Sequence, residues 1–426
     1  MRFEQFIMGV YLLLCFWLIP KISLVRHTNL RPGNIRLLFA FKLFVGFACA
    51  FYFQRISSSV DYNGYNTEGK IQYDLLLSNP ALFFTDFKND INTYGLGKLF
   101  NSQDSFWAYL RFNLLYKLIA LADLLTKGDF YLNTLLFSSI VFFGHIALYR
   151  VFSEIYQKQK LKILCTCFFL PSVLLYTSCI HKDGIIFVAL AFVSLVFNKI
   201  LHAASSVKFR HWGVFISSLF CIFLFRNYLL IALIPAIAIA LLCKMFPYKK
   251  RVVWAGCYSI CITLFFLSGY VHSSLNLPAA VIQRKADFAA LEGGTTNIAM
   301  NELYPTLQSF VSNLPQAINH FFFRPYLWEF SQPSVILAAL ELFAYQLIFL
   351  AFIFFRKRSV GGINNFNLFG ISLVINMMLI IGYTIPNIGA IVRYRSIFWI
   401  WLIGPLACNI DWQKLFSFHK TKKAAA

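Results

Sequence analysis

Residues 163–196 read ILCTCFFLPSVLLYTSCI-HKDG-IIFVALAFVSLV. Two apolar runs, Ile163–Ile180 and Ile185–Val196, flank the hydrophilic break His181-Lys182-Asp183-Gly184. Three consecutive ionisable residues are costly between two membrane-spanning runs, so the break predicts one of two things. It is the tip of a tight helical hairpin that stays in water, or it is a polar site at the membrane surface.

The same pattern of apolar runs and short polar breaks extends through the chain. Of 426 residues, 59% are hydrophobic and 13% charged, whereas a soluble domain carries about 25% charged residues. The alternating segments of a transmembrane β-barrel are absent. The expected fold is therefore all-α and polytopic, with about eleven spans. They are Phe6–Ile19, Leu37–Phe53, Phe130–Val151, Ile163–Ile180, Ile185–Leu201, Gly213–Phe225, Leu229–Met245, Val253–Tyr270, Val335–Phe355, Phe366–Ile385 and Ser396–Cys408. The N-terminal run reads as a retained span, because no small-x-small cleavage pattern follows it.

The formal charge of +21 comes from 38 Lys and Arg. Placed by the positive-inside rule, the lysine-rich connections all fall in the cytoplasm, which explains the charge without a nucleic-acid partner. Residues 1–426 then form one membrane domain with two large external loops, 55–129 and 272–334. Phe106–Leu125 carries Arg111, Asn113, Lys117 and Asp123 at spacings that mostly share one helical face. It is expected as an amphipathic helix in the outer interface rather than a span. Lys42, inside the second span, is expected to snorkel or to face the protein interior. The ten cysteines lie mostly in apolar runs and show no metal-ligand spacing.

This topology gathers Asp61, Lys182, Asp183, Arg226, Arg324, Arg393 and Arg395 at the external surface. Carboxylates and guanidinium groups where membrane meets water suit chemistry on an anionic lipid-linked substrate. A carboxylate takes a proton from a hydroxyl, and Arg and Lys neutralise a leaving phosphate. Asp61 and Asp183 are the candidate bases; Lys182, Arg226, Arg324, Arg393 and Arg395 are the candidate substrate-binding cations. Each has a bland alternative. Asp61 can cap its own turn, Asp183 can pair with Lys182 or cap the following helix, and Arg226 can sit harmlessly in a turn between two spans. Two arginines outside the membrane run against the positive-inside bias, which favours a role for Arg393 and Arg395.

Within the second loop, Gln283–Phe288 followed by Glu292–Asn297 reads as a helix with a glycine turn able to move over a site. Pro315–Glu329 combines His320, Phe321–Phe323, Arg324 and Trp328 as either a surface helix or a sugar-stacking platform does. Glu341, inside the next span, is an intramembrane carboxylate that is functional or paired with a cation such as Arg226. No phosphate-binding loop, dinucleotide-binding glycine pattern, HExxH or nucleophile elbow occurs.

Asp61-Tyr62 and Tyr65, Pro171-Ser172, Ser178, Lys182-Asp183 and Val392-Arg393-Tyr394-Arg395 resemble motifs of EpsG-like and Wzy-type polysaccharide polymerases and of GT-C membrane glycosyltransferases. The resemblance implies a GT-C-like fold and a polyprenyl-phosphate-linked sugar donor in the bacterial cytoplasmic membrane. It further implies inverting transfer on the external face, with surface polysaccharide as product. An acidic residue in the first external loop acts near acceptor or metal in such enzymes, which maps here onto Asp61. No second acid adjoins it, so whether a divalent cation takes part stays open and no metal ligand is assigned. The alternative is a transporter or flippase of lipid-linked glycans, which should carry charges deep in several spans. A membrane acyltransferase using His181 or His145 is a third reading.

Overall fold

The computed structural model describes residues 3–56, 60–97, 99, 104–202, 207–271, 276–290, 296–329, 333–357 and 363–416. Backbone polar groups in a membrane must be satisfied within each segment, and the described chain is built of helices accordingly. In chain order these begin with α1 (Phe3–Leu18), α2 (Ser23–Arg26), α3 (Pro32–Phe51), α4 (Val60–Ser78), α5 (Pro80–Thr85), α6 (Phe87–Tyr94) and α7 (Phe106–Thr126). They continue with α8 (Phe130–Ile155), α9 (Lys160–Phe168), α10 (Pro171–Ser178), α11 (Lys182–His202), α12 (Phe209–Arg226), α13 (Tyr228–Met245) and α14 (Lys250–Val271). The last are α15 (Leu277–Ala289), α16 (Leu307–Phe322), α17 (Pro333–Phe355), α18 (Asn365–Thr384), α19 (Ile388–Ser396) and α20 (Trp399–Asn409).

Among the described residues, nine helices are long and apolar enough to cross a membrane. Two bent pairs bring the number to eleven: the α9 region with α10, bent by 49°, and α19 with α20, bent by 66°. The protein is an all-α, multi-pass membrane protein, and each expected span corresponds to one of these helices or pairs. Two spans are broken rather than continuous. Pro171 accounts for the first break, since proline removes a backbone donor and disfavours helix at the residue before it.

Helices continue beyond the spans. The hydrophilic stretch expected as loop after α3 forms α4, α5 and α6. α4 is polar overall but lies along α7, with Tyr65 meeting the rings of Phe112 and Tyr116 and Gly69 closely approached by Ile119. α7 is not a candidate span, as expected, but its polar residues do not share one face. Asn113 and Lys117 both reach Asp86, whereas Asp123 is buried and accepts from Asn133 Nδ2 at 2.6 Å and Thr126 Oγ1 at 3.1 Å. At 100° per residue positions 117 and 123 stand far apart around the helix, and tertiary packing uses both sides.

The chain packs as two compact units, Met1–Val151 with Val173–Leu230, and Phe152–Ser172 with Ile231–Ala426. In the first, α3, α8 and α11 approach closely at small residues: Gly46 lies against Ser138, and Gly184 against Phe137 and Val141. Lipid is as apolar as leucine, so such contact rather than hydrophobic burial holds membrane helices together. Lys42 faces the interior, donating to Thr177 Oγ1 at 3.0 Å and Ser178 Oγ at 2.7 Å.

In the second unit α18 is the buried centre. It receives Trp254 Nε1 at Ser372 Oγ, 3.2 Å, donates from Asn376 to the Ala232 carbonyl at 2.8 Å and from the Tyr383 hydroxyl to the Phe310 carbonyl at 2.6 Å. Short antiparallel bridges tie its two ends, Asn297 with Asn387 at one and Arg356 with Ile410 at the other. The ends of α17 and α20 therefore lie together, as the span order requires.

Candidate functional site

In the first unit the break His181-Lys182-Asp183-Gly184 belongs to a buried charged cluster. α11 starts at Lys182 and α12 ends at Arg226, so their adjoining termini bring Asp183 and Arg226 together. The Arg226 guanidinium donates to one Asp183 oxygen, and the His181 ring Nδ1 lies 3.0 Å from the other. Asp183 and His181 are fully buried, and Arg226 is 2% exposed. Tyr62 and Tyr65, on the first turns of α4, each place a ring centroid 5.5 Å from His181. Lys182 turns aside, its Nζ 4.4 Å from the centre of the Phe112 ring.

Asp183 pairs with Arg226, because a buried carboxylate demands a charged partner and the guanidinium supplies it. Arg226 is not a water-exposed turn residue. Asp61 lies in the first turn of α4, and its side chain is outside the described residues.

In the second unit the segment Thr296–Ile298 docks on the loop that leads into α19. Ile298 N donates to the Pro386 carbonyl at 2.8 Å and Ile388 N to the Thr296 carbonyl at 3.0 Å, while Asn387 Oδ1 caps α19 by accepting from Ala390 N at 3.0 Å. This clamp fixes α19, which carries Arg393 and Arg395 in its last turn. Of the glycine turn expected to move over a site, residues 291–295 lie outside the described residues.

Arg395 is 2% exposed, donates to the Phe321 carbonyl and lies 5.7 Å from the Trp399 ring. Arg393 is half-buried beside Tyr394, 5.3 Å from its ring, and Phe288 of α15 meets Tyr394 edge to face at 5.9 Å. Arg324 follows α16, with Nε 3.4 Å from Glu329 and its guanidinium carbon 5.5 Å from the Tyr326 ring. Glu341 is engaged within its own unit. Its oxygens accept from Ser172 N at 3.0 Å, from Ser172 Oγ at 3.1 Å and from the Tyr345 hydroxyl. Arg395 acts on it electrostatically.

No protein-family model matches the chain, and neither a curated protein nor a solved structure does.

Among the described residues no three His, Cys, Asp or Glu side chains converge as metal ligands do. Asp183, the one described candidate acid, already faces a guanidinium, whose positive charge opposes a second cation. These donors do not fit a divalent ion.

The sequence pointed to Asp183, Arg226, Arg393 and Arg395 but missed what surrounds them. Trp399, which flanks the second cluster, looks like an ordinary interfacial aromatic. Asn66 and Asn133, which bond to each other at 3.1 Å beside Asp123, were signalled only by Asn133 standing in an apolar run.

Proposed function

We propose that the protein is an extracytoplasmic membrane glycosyltransferase or polysaccharide polymerase that uses polyprenyl-phosphate-linked sugars to build a bacterial surface polysaccharide. The observation that carries this reading is the Arg393–Arg395 pair at the bend of a broken span. Membrane chains tolerate irregular backbone only where it is buried in protein or lines a water-filled cavity, and arginine at such a bend suits phosphate recognition through several donors.

In this reading Arg393, the more accessible of the pair, binds the donor phosphate, and Arg395 holds α19 in place through the Phe321 carbonyl. An acceptor hydroxyl attacks the anomeric carbon, the carbon–oxygen bond to phosphate breaks, and the charge that develops on the phosphate is met by Arg393. The hydroxyl proton passes to a carboxylate, the role that the resemblance assigns to Asp61. Asp183 is engaged by the Arg226 guanidinium and so positions the α11 and α12 ends instead. Arg324 and Lys182 are supporting cations.

A flippase of the same lipid-linked glycans is the second reading, favoured by Lys42 and Glu341, both inside spans. One experiment separates them. Cells carrying Arg393→Ala at normal protein levels are compared with a gene deletion for surface glycan and for the side on which precursor collects. Shortened chains with precursor trapped outside support transfer. Precursor held on the cytoplasmic face supports the flippase and overturns the enzyme.

A further inference from the structure

The segment after α16 folds into a small aromatic platform. Tyr326 and Trp328 stack with ring centroids 4.8 Å apart and planes 14° from parallel. Tyr326 is fixed at three points: its hydroxyl donates to Asn319 Oδ1 at 2.7 Å, its backbone N donates to Glu329 Oε2 at 2.9 Å, and Arg324 lies against its ring. Trp328 is nevertheless 73% exposed. One indole face is thus backed by a fixed ring while much of the side chain is open, and an ionic pair, Arg324 with Glu329, stands at its edge.

α17 and α18 run out and back, so 321–329 and 386–396 occupy the same end of this unit, and Arg395 bonds directly to Phe321. A platform of this kind offers two complementary surfaces. The aromatic face accepts the apolar C–H face of a pyranose ring, and the Arg–Glu edge offers donors and acceptors to ring hydroxyls. Because its support is already ordered, little entropy is lost on binding. An interfacial tryptophan that only anchors the protein in lipid needs neither the backing ring nor the ionic edge.

We propose that Trp328, backed by Tyr326 and edged by Arg324 and Glu329, is a pyranose-binding subsite for the glycan of the lipid-linked substrate. The proposal rests on the reading of the Arg393 end as the donor-phosphate site. The test uses the full chain in lipid nanodiscs and, as probe, the soluble oligosaccharide freed by mild acid from the lipid-linked pool of the producing cells. Binding is read by saturation-transfer NMR.

Trp328→Ala should weaken binding about tenfold or more and Trp328→Phe by clearly less, as loss or retention of one aromatic contact implies. No binding by the wild type, or equal binding by Trp328→Ala, overturns the subsite. So does quenching by brominated lipid of the emission that Trp328→Phe removes, since the ring would then lie in lipid. Failure of the transfer reading looks different: Arg393→Ala leaves surface glycan unchanged while Trp328→Ala still abolishes oligosaccharide binding, and the subsite then stands as a glycan-binding site alone.

Discussion

Asp183 and Arg226, 43 positions apart in the chain, form an ion pair from which water is excluded on both sides. Breaking such a pair from one side strands a buried charge and costs about 3–5 kcal/mol, whereas replacing both partners by apolar residues is often nearly neutral. Asp183→Ala should therefore strongly lower the thermal unfolding temperature in detergent. The double variant Asp183→Leu with Arg226→Met should recover most of it. A double variant no more stable than the single would show that the pair does not govern the stability of the α11 and α12 ends.

Arg393 and Arg395 should separate by phenotype. Arg395→Ala leaves the Phe321 carbonyl without its cationic donor and should cost about 2 kcal/mol in stability. Arg393→Ala should cost less stability than Arg395→Ala while abolishing glycan extension. Paired unfolding curves and surface glycan gels check both; equal loss of stability in the two variants would contradict the division of roles.

His320, on α16 outside the spans, is held at about 4, below the usual histidine range, by its burial and then by the charge of Arg324. A histidine whose folded value is depressed binds fewer protons folded than unfolded. Its contribution is fully present above about 6.5 and is lost as pH falls from there towards 4, by roughly 3 kcal/mol at most. Unfolding temperature measured from pH 7.5 to 4 should fall less steeply for His320→Gln than for wild type. Parallel curves would reject the assignment.

Gly382 of α18 sits where an added Cβ would strike the Ala317 backbone of α16. Backbone cannot swing aside as a flexible side chain can, so Gly382→Ala should cost about 1–3 kcal/mol. Gly256, which has open space around it, is the control: Gly256→Ala should be neutral or slightly stabilising in thermal unfolding.

The span pattern was legible because it depends on local composition. A run such as Ile185–Leu201 is long and apolar enough to be read without knowing its neighbours, and α11 follows it closely. α4 was not legible, since its polar sequence becomes helical beside α7 through residues such as Tyr65 and Gly69. The candidate site was legible as residue types but not as partnerships. Nothing in the text around position 183 says that its partner is at 226, because that pairing is set by where two helices terminate. The clamp of Thr296 on Ile388 is likewise made by backbone groups that every residue carries, and side-chain identity does not announce it.

Glu341 and the break before Pro171 are two halves of one feature. The helix that restarts there has an amide at Ser172 that would otherwise face a medium without water, and the Glu341 carboxylate accepts from it. An acid so placed is needed only while the span is broken. In the descent of this chain the two should therefore be gained and lost together, and a homologue with a straight helix through this position should be free to carry an apolar residue at 341.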